Sequence, residues 1–156
     1  MAIEEVYSLL LPLDGTRLLL PNAIVAEVVG FSQPRPLQGK QPDWLLGEMT
    51  WQDKQVPVIS FEGMRRGGRP AELNPRARVA ILNCIMGASD LVSLGVVTEG
   101  HPHLVRVDAT ILTHDDRQEP EADSPVLCRV FIANAEALIP NMEFIEKTLA
   151  ELLEAV

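Results

Sequence analysis

The chain has 156 residues, 47% of them hydrophobic, and a formal net charge of -9. That apolar content excludes a globally disordered chain, and the length fits one domain or two small subdomains sharing a core. The negative field disfavours nucleic acid and anionic lipid as main partners, and no run approaches the roughly 18 apolar residues of a membrane span, so direct membrane insertion is not expected.

Twelve prolines and ten glycines favour short strands and turns over long helices. Met1-Ala2-Ile3-Glu4-Glu5 lacks the positive start of a secretory leader, so a cytoplasmic location is expected. Tyr7 to Leu13 is a hydrophobic run followed by Asp14-Gly15, a dipeptide favoured in type I′ hairpin turns, whose two central residues both need φ > 0. Arg17 to Leu20 reads as the returning strand. Pro21 to Ile24 breaks the pattern with room for one helical turn, and Val25 to Val29 resumes as strand. Gln33-Pro34-Arg35-Pro36-Leu37 is extended but lacks a Pro-x-x-Pro spacing, so it reads as a connector.

Between Trp44 and Phe61 two short apolar runs flank a polar break, Gln52 to Gln55. This is the pattern of a β-hairpin with a loop slightly longer than the tightest turns. Gly47 permits a backbone geometry that a Cβ would resist. Pro57 has no N–H to give a sheet and is expected at an edge or bulge. Trp44, entering the hairpin, is the expected core residue. Trp51 shares the face of Met49 by period-two alternation, and its ring either fills the barrel or stands out beside Gln52 as a partner contact. Arg65-Arg66-Gly67-Gly68-Arg69-Pro70 reads as a basic, flexible linker, without the Lys-Ser/Thr ending of a phosphate loop.

Arg78 to Ile85 and Leu91 to Thr98 read as strands joined at Gly87-Ala88-Ser89-Asp90, and Leu104 to Val107 as a further short one. His114 to Pro125 is acidic, holds no large apolar side chain and reads as a surface loop. Val126 to Ile132 and Ala137 to Ile139 are the closing strands. The tail is the one clear helix: Asn141 is a good N-cap, and Met142, Ile145, Leu149, Leu152, Leu153 and Val156 recur at three- and four-residue steps. Cys84 and Cys128 lie in apolar runs and are expected as buried free thiols.

The chemistry of catalysis is missing from these patterns. There is no Gly-x-Ser-x-Gly elbow, phosphate loop or dinucleotide fingerprint, and the carboxylates fall in loops and on the last helix. No enzyme and no cofactor is expected. His101-Pro102-His103, with His114, Asp115 and Asp116 downstream, is the only metal-like grouping, and it lacks the modules of a tetrahedral site. A small-ligand or metal-binding β-barrel using His101 and His103 stays as the alternative from another class.

Three blocks carry a resemblance to a known family. Gly47-Glu48-Met49-Thr50-Trp51-Gln52-Asp53-Lys54-Gln55-Val56-Pro57-Val58-Ile59-Ser60-Phe61 resembles the signature of CheW-like domains, the adaptors of bacterial chemosensory arrays. Their pattern reads roughly Gly-Val-x-Asn-Leu-Arg-Gly-x-Val-Val-Pro-Val-Ile-Asp-Leu. Leu20 to Val29 is similar to the family's Leu-Pro-Ile-x-x-Val-x-Glu-Val, with Val25 and Glu27 in the matching places. Leu94-Gly95-Val96-Val97-Thr98 resembles Val-Gly-Leu-Val-Val-Asp, with Thr98 set against the aspartate.

The resemblance implies an all-β fold of two SH3-like five-stranded barrels with a short C-terminal helix. It implies one CheW-like domain over residues 1–156, with subdomains of about 1–77 and 78–156. It further implies a non-enzymatic adaptor that couples the cytoplasmic tips of chemoreceptors to the regulatory domain of a CheA-type histidine kinase. Receptor helices would lie in the groove between barrels and the kinase on barrel faces. The partner-binding positions that carry over are Val25, Glu27, Trp51, Gln52 and Val97, the last on the inter-barrel side. Gln52 stands where the pattern has its arginine and lacks both the charge and the bidentate fork. That departure suits a divergent adaptor of an alternative chemosensory system, such as one controlling type IV pilus twitching motility.

Overall fold

Strand β1 (Val6–Leu13) turns through Asp14 and Gly15 into β2 (Thr16–Pro21), with Leu13 paired to Thr16. Only Gly15 of the two turn residues has positive φ, at +79°, so this is not the type I′ turn that the dipeptide suggests. The computed structural model describes residues 6–67, 75–85, 91–108, 112–114, 124–132 and 134–154. The expected linker beyond Gly67, the turn at Gly87–Asp90, most of the acidic loop and Val156 lie outside the described residues. After a 3-10 turn at Asn22–Ile24 come β3 (Val25–Gly30), β4 (Leu45–Trp51) and β5 (Lys54–Ile59). Helix α1 (Phe61–Arg66) follows, then β6 (Arg78–Asn83), β7 (Ser93–Thr98), β8 (His103–Val107) and β9 (Leu112–His114). The described residues close with β10 (Val126–Ile132), β11 (Ala135–Pro140) and α2 (Met142–Glu154).

The strands form a six-stranded sheet, ordered β8-β1-β2-β11-β10-β9, and a five-stranded sheet, ordered β3-β6-β7-β5-β4. The five-stranded sheet is one uninterrupted stretch of chain, β3 to β7, set between β2 and β8 of the other. The expected boundary at residues 77 and 78 therefore does not follow the sheets; it falls inside the five-stranded one. The physical reason lies in the leucines of the first hairpin. Leu11, Leu18 and Leu20 are covered on one face by the five-stranded sheet, whereas Leu10 and Leu19 on the other are covered by Val107, Val130, Ile132 and Ala137 of strands arriving late in the chain.

Period-two alternation sorts the buried residues into three clusters. Val56, Val58, Val79, Ile81 and Val97 fill the inside of the five-stranded sheet, with Val29, Phe31, Met49 and Trp51 at its margin, so all five strands contribute. Leu10, Leu19, Val107, Val130, Ile132 and Ala137 fill the inside of the six-stranded sheet. Between the sheets, Leu11, Leu18, Leu20 and Leu138 meet Ile59, Ala80, Leu82, Leu94 and Val96, and α2 adds Met142, Ile145 and Leu149. Strands β6 and β7 are thus buried on both faces, which is why they read as nearly unbroken apolar runs.

Two local expectations need correction. Pro57 lies on β5, which sits between β4 and β7 and is not an edge strand. In a two-residue hairpin the hydrogen-bonded pairs alternate outward from the closing pair, so Glu48 and Pro57 form a non-bonded pair. The ladder to β7 begins only at Val58, and the missing N–H leaves no gap. Arg65 and Arg66, expected in a flexible linker, are helical: the Ser60 hydroxyl caps α1 by accepting the Gly63 N–H at 3.1 Å, and Gly67 ends it at φ +69°. Both arginines pair with Glu62, at 2.9 and 3.1 Å. Helix α2 starts as anticipated, with Asn141 Oδ1 accepting the Phe144 N–H at 3.2 Å. No described helix is long and apolar enough to cross a membrane.

Candidate protein-interaction site

The site begins with an irregularity in β3. Val25 pairs with Leu82 and Glu27 with Ile81, so Ala26 is an extra residue, a β-bulge. Its effect is to reset the alternation. Val25 and Val28 both pack toward the cluster between the sheets, while Val29 packs toward the inside of the five-stranded sheet. Glu27, two residues before Val29, shares that second side and is solvent-exposed.

β3 and β4 are the outermost strands of the five-stranded sheet, at opposite ends of its order. Even so, Trp51 Nε1 on β4 donates a hydrogen bond to Glu27 Oε2 on β3, at 2.7 Å. The sheet has curled until its two edges meet, and this bond spans the seam. Trp51 is half-buried, with its ring against the Val56–Val58 cluster on the face of Met49. It is neither fully core nor fully surface. Trp44 is also half-buried, at the margin of the cluster between the sheets.

Gln52 and Asp53 form the tip of the β4–β5 hairpin at φ +48° and +62°. The register closes Trp51 on Lys54, so the turn has two residues where the sequence suggested four. Two left-handed residues in succession mark a type I′ turn, built here without glycine. On the flank of the hairpin, Arg35 of the connector bridges Glu48 through backbone bonds of 2.9 Å in both directions. Its guanidinium reaches Glu48 Oε1 at 3.4 Å and also donates to Gln55 Oε1. Gly47, at φ +139°, makes this approach possible, because a Cβ there would stand 2.2 Å from the Arg35 carbonyl oxygen.

A family model of the CheW-like domain matches residues 8–120. The chain belongs to the CheW-like domain family. Its fold is similar to that of the scaffolding protein TtCheW from Thermoanaerobacter tengcongensis, at 16% identity and a TM-score of 0.71, covering 88% of this chain and 90% of that one. The fold is therefore the mostly-β CheW fold with two SH3-like subdomains. No match was found among curated proteins.

Among the CheW-like positions, the structure joins Glu27 and Trp51, with Gln52 beside them at the turn, and separates the other two. Val97 is 7% exposed and lines the inside of the five-stranded sheet. The expected inter-barrel position belongs to Val96, its neighbour on the opposite face. Val97 supports the cluster under Trp51 and offers almost no surface. Val25 faces the cluster between the sheets and is separated from Glu27 by the bulge.

The third CheW-like block also needs realignment. Anchored on Gly95, where a Cβ would stand 2.8 Å from Val79 Cγ1, the six-residue pattern sets Thr98 against its last valine and Glu99 against its aspartate. The acidic position is kept. Thr98 is 1% exposed, as suits a position for a β-branched residue, and its hydroxyl donates to the Gly100 carbonyl at 2.8 Å.

Among the described residues, His101 and His103 do not make a common centre. His101 Nε2 lies 3.2 Å from an Arg78 guanidinium nitrogen, which is always a donor, so the lone pair of that ring nitrogen is taken up. His103 is exposed on β8, opposite Leu10. Among the described residues no three potential metal ligands converge. The two cysteines are free and half-buried. One functional-looking group escaped the sequence reading altogether: Glu146 of α2 is 3% exposed and accepts the Ile85 N–H at 3.1 Å.

Proposed function

We propose that this chain is a non-enzymatic, cytoplasmic chemotaxis adaptor that joins the cytoplasmic tip of a chemoreceptor to the regulatory domain of a CheA-type histidine kinase. The observation that carries this reading is the joined pair of Glu27 and Trp51, which sits on the surface of a CheW-like domain at two positions of the family pattern. Gln52, exposed at the adjoining turn, extends the same surface. Val97 and Val25 act from behind it, as packing that holds β7 and β3 in place.

The replacement of the pattern's arginine by Gln52 removes a cation from this surface, and with it a bidentate contact. We assign the protein on that ground to an alternative chemosensory system, such as one governing type IV pilus twitching. The direct test is titration of the purified protein with a chemoreceptor cytoplasmic fragment and, separately, a kinase regulatory domain. Binding to both is expected. Binding to neither ends the adaptor reading. For the motility output, deletion of the gene should abolish twitching and spare swimming; the opposite pattern reassigns the protein to a flagellar pathway.

A further inference from the structure

We infer that Trp51 is a positioning residue for Glu27, and that the two together receive a cationic side chain, arginine or lysine, from the protein segment that docks at the seam of the five-stranded sheet. This rests on the adaptor reading and adds the chemistry of what docks.

The argument turns on what kind of group holds the carboxylate. Glu27 is exposed, and one of its oxygens accepts the Trp51 N–H at 2.7 Å. An indole N–H is a neutral donor: it fixes the orientation of a carboxylate without cancelling its charge. Had an arginine or lysine held Glu27, the same geometry would have left the group electrically satisfied. A carboxylate has about four acceptor positions, so one indole leaves most of them available. Among the described residues no cation forms an ion pair with Glu27. Lys54 stands across the strand pair from Trp51, but it makes no ion pair with Glu27.

The surroundings favour the same occupant. Asp53 adds a second exposed carboxylate at the turn next to Trp51, and the whole chain carries a net charge of -9. The indole is bonded through its edge, and its ring is packed against the Val56–Val58 cluster, so the orientation is set before any partner arrives. A guanidinium or ammonium that pairs with Glu27 takes up the acceptor positions that the indole leaves open, in a charge-assisted contact. The bulge at Ala26 serves this arrangement, since regular alternation from Val25 would place Glu27 on the side that faces the other sheet.

The test uses three single variants and two doubles, Glu27→Gln being combined with Trp51→Phe for binding and with Trp44→Phe for spectroscopy. Trp51→Phe keeps an aromatic ring in the cluster and removes the N–H together with the five-membered part of the indole. Glu27→Gln keeps an acceptor and removes the charge. In a Trp44→Phe background, Trp51 is the sole tryptophan, and its indole proton resonance can be followed by NMR from pH 3 to 7 without any partner. That resonance should shift with one carboxylate titration, and the shift should vanish in Glu27→Gln. In titrations against whichever fragment binds the unmodified protein, Trp51→Phe and Glu27→Gln should each weaken binding about tenfold, the scale of a charge-assisted contact. The double variant that joins Trp51→Phe to Glu27→Gln should lose little more than Glu27→Gln alone. Raising salt should weaken the unmodified protein more than Glu27→Gln.

A resonance indifferent to pH, or Trp51→Phe binding like the unmodified protein while still melting normally, overturns the positioning role. Equal salt dependence of the unmodified protein and Glu27→Gln overturns the cation. If neither fragment binds the unmodified protein, the adaptor reading falls and the docking claim falls with it; the partner-free titration then decides the hold of Trp51 on Glu27 by itself.

Discussion

The Glu146 carboxylate on α2 accepts the backbone N–H of Ile85, just past the end of β6, at 3.1 Å. It ties the last helix to the loop leaving the five-stranded sheet. Glu146 is 3% exposed but Ile85 is 56% exposed, so water takes over part of the bond when the carboxylate is removed. Glu146→Ala should therefore lower unfolding stability by about 1.5 kcal/mol, the net worth of a hydrogen bond to a charged group. Glu146→Gln retains an acceptor oxygen and should lose less than half of that. Urea unfolding of both variants checks the claim. Equal losses would mean that the charge matters here and the Ile85 bond does not.

Cys84 follows from the same carboxylate. Burial first, and the nearby Glu146 charge second, push its thiol from the ordinary 9.0 up to about 12. Burial also raises Cys128. A group whose folded-state pKa lies above its unfolded value contributes stability that is complete below the unfolded value and lost as pH rises through the folded one. The contribution of Cys84 should thus fade between pH 9.0 and about 12, and Cys84→Ala should flatten stability against pH across that window. At pH 8 the thiol is protonated and should react with a disulfide reagent much more slowly than a small-molecule thiol. Reaction at the small-molecule rate would show that the site opens far more readily than its packing implies.

Gly47 can be tested by one methyl group. At φ +139°, with a Cβ placed 2.2 Å from the Arg35 carbonyl oxygen, alanine is both strained and in collision with backbone. Gly47→Ala should cost about 3 kcal/mol or more. It should also break the backbone bridge between Arg35 and Glu48, which amide hydrogen exchange at those two residues would reveal. A variant within 1 kcal/mol of the parent would mean that the connector swings aside freely.

The hairpin tip should respond in the opposite direction. Asp53 holds φ +62° without being glycine, next to Gln52 at +48°. Asp53→Gly relieves that strain, partly offset by the greater freedom of glycine in the unfolded chain, for a net gain of about 0.5–1 kcal/mol. The midpoint of urea unfolding should rise accordingly. A fall would show that the Asp53 side chain makes a contact that outweighs the strain.

The order of the strands, β9 apart, and the C-terminal helix could be read from the sequence, because both rest on local periodicity and on caps such as Asn141. Strand β9 is only three residues long, and His114 reads as the start of the acidic loop. Helix α1 carried its own signals, Ser60 before it and Gly67 after it, but the apolar run through Phe61 reads more readily as continued strand. Pairing was not legible. Leu9 lies opposite Leu104, and Leu138 beside Leu18, contacts that no window of sequence contains. The candidate site was legible as separate residues and not as a site: Glu27 and Trp51 come from different motifs, and their meeting depends on the bulge at Ala26 and the curling of the sheet. The facing of Val96 and Val97 could not be told because both sides of β7 are buried. Glu146 did leave a trace. It stands four residues after Met142 and three before Leu149, inside the apolar stripe of α2, and a carboxylate in such a stripe signals a buried acceptor.

The sheet that the chain starts is the sheet that it finishes last. A ribosome releases β1 and β2 first, yet their neighbours β8 and β11 emerge only after the whole five-stranded sheet has been made. The inner sheet can fold as it is synthesised, since all its strands are consecutive. Through that interval Leu10 and Leu19 lack the cover that Val107, Val130, Ile132 and Ala137 bring later, and the hairpin presents two open strand edges. Translation stalled beyond β7 would leave a finished barrel joined to an adhesive hairpin, which is the kind of intermediate that chaperones capture.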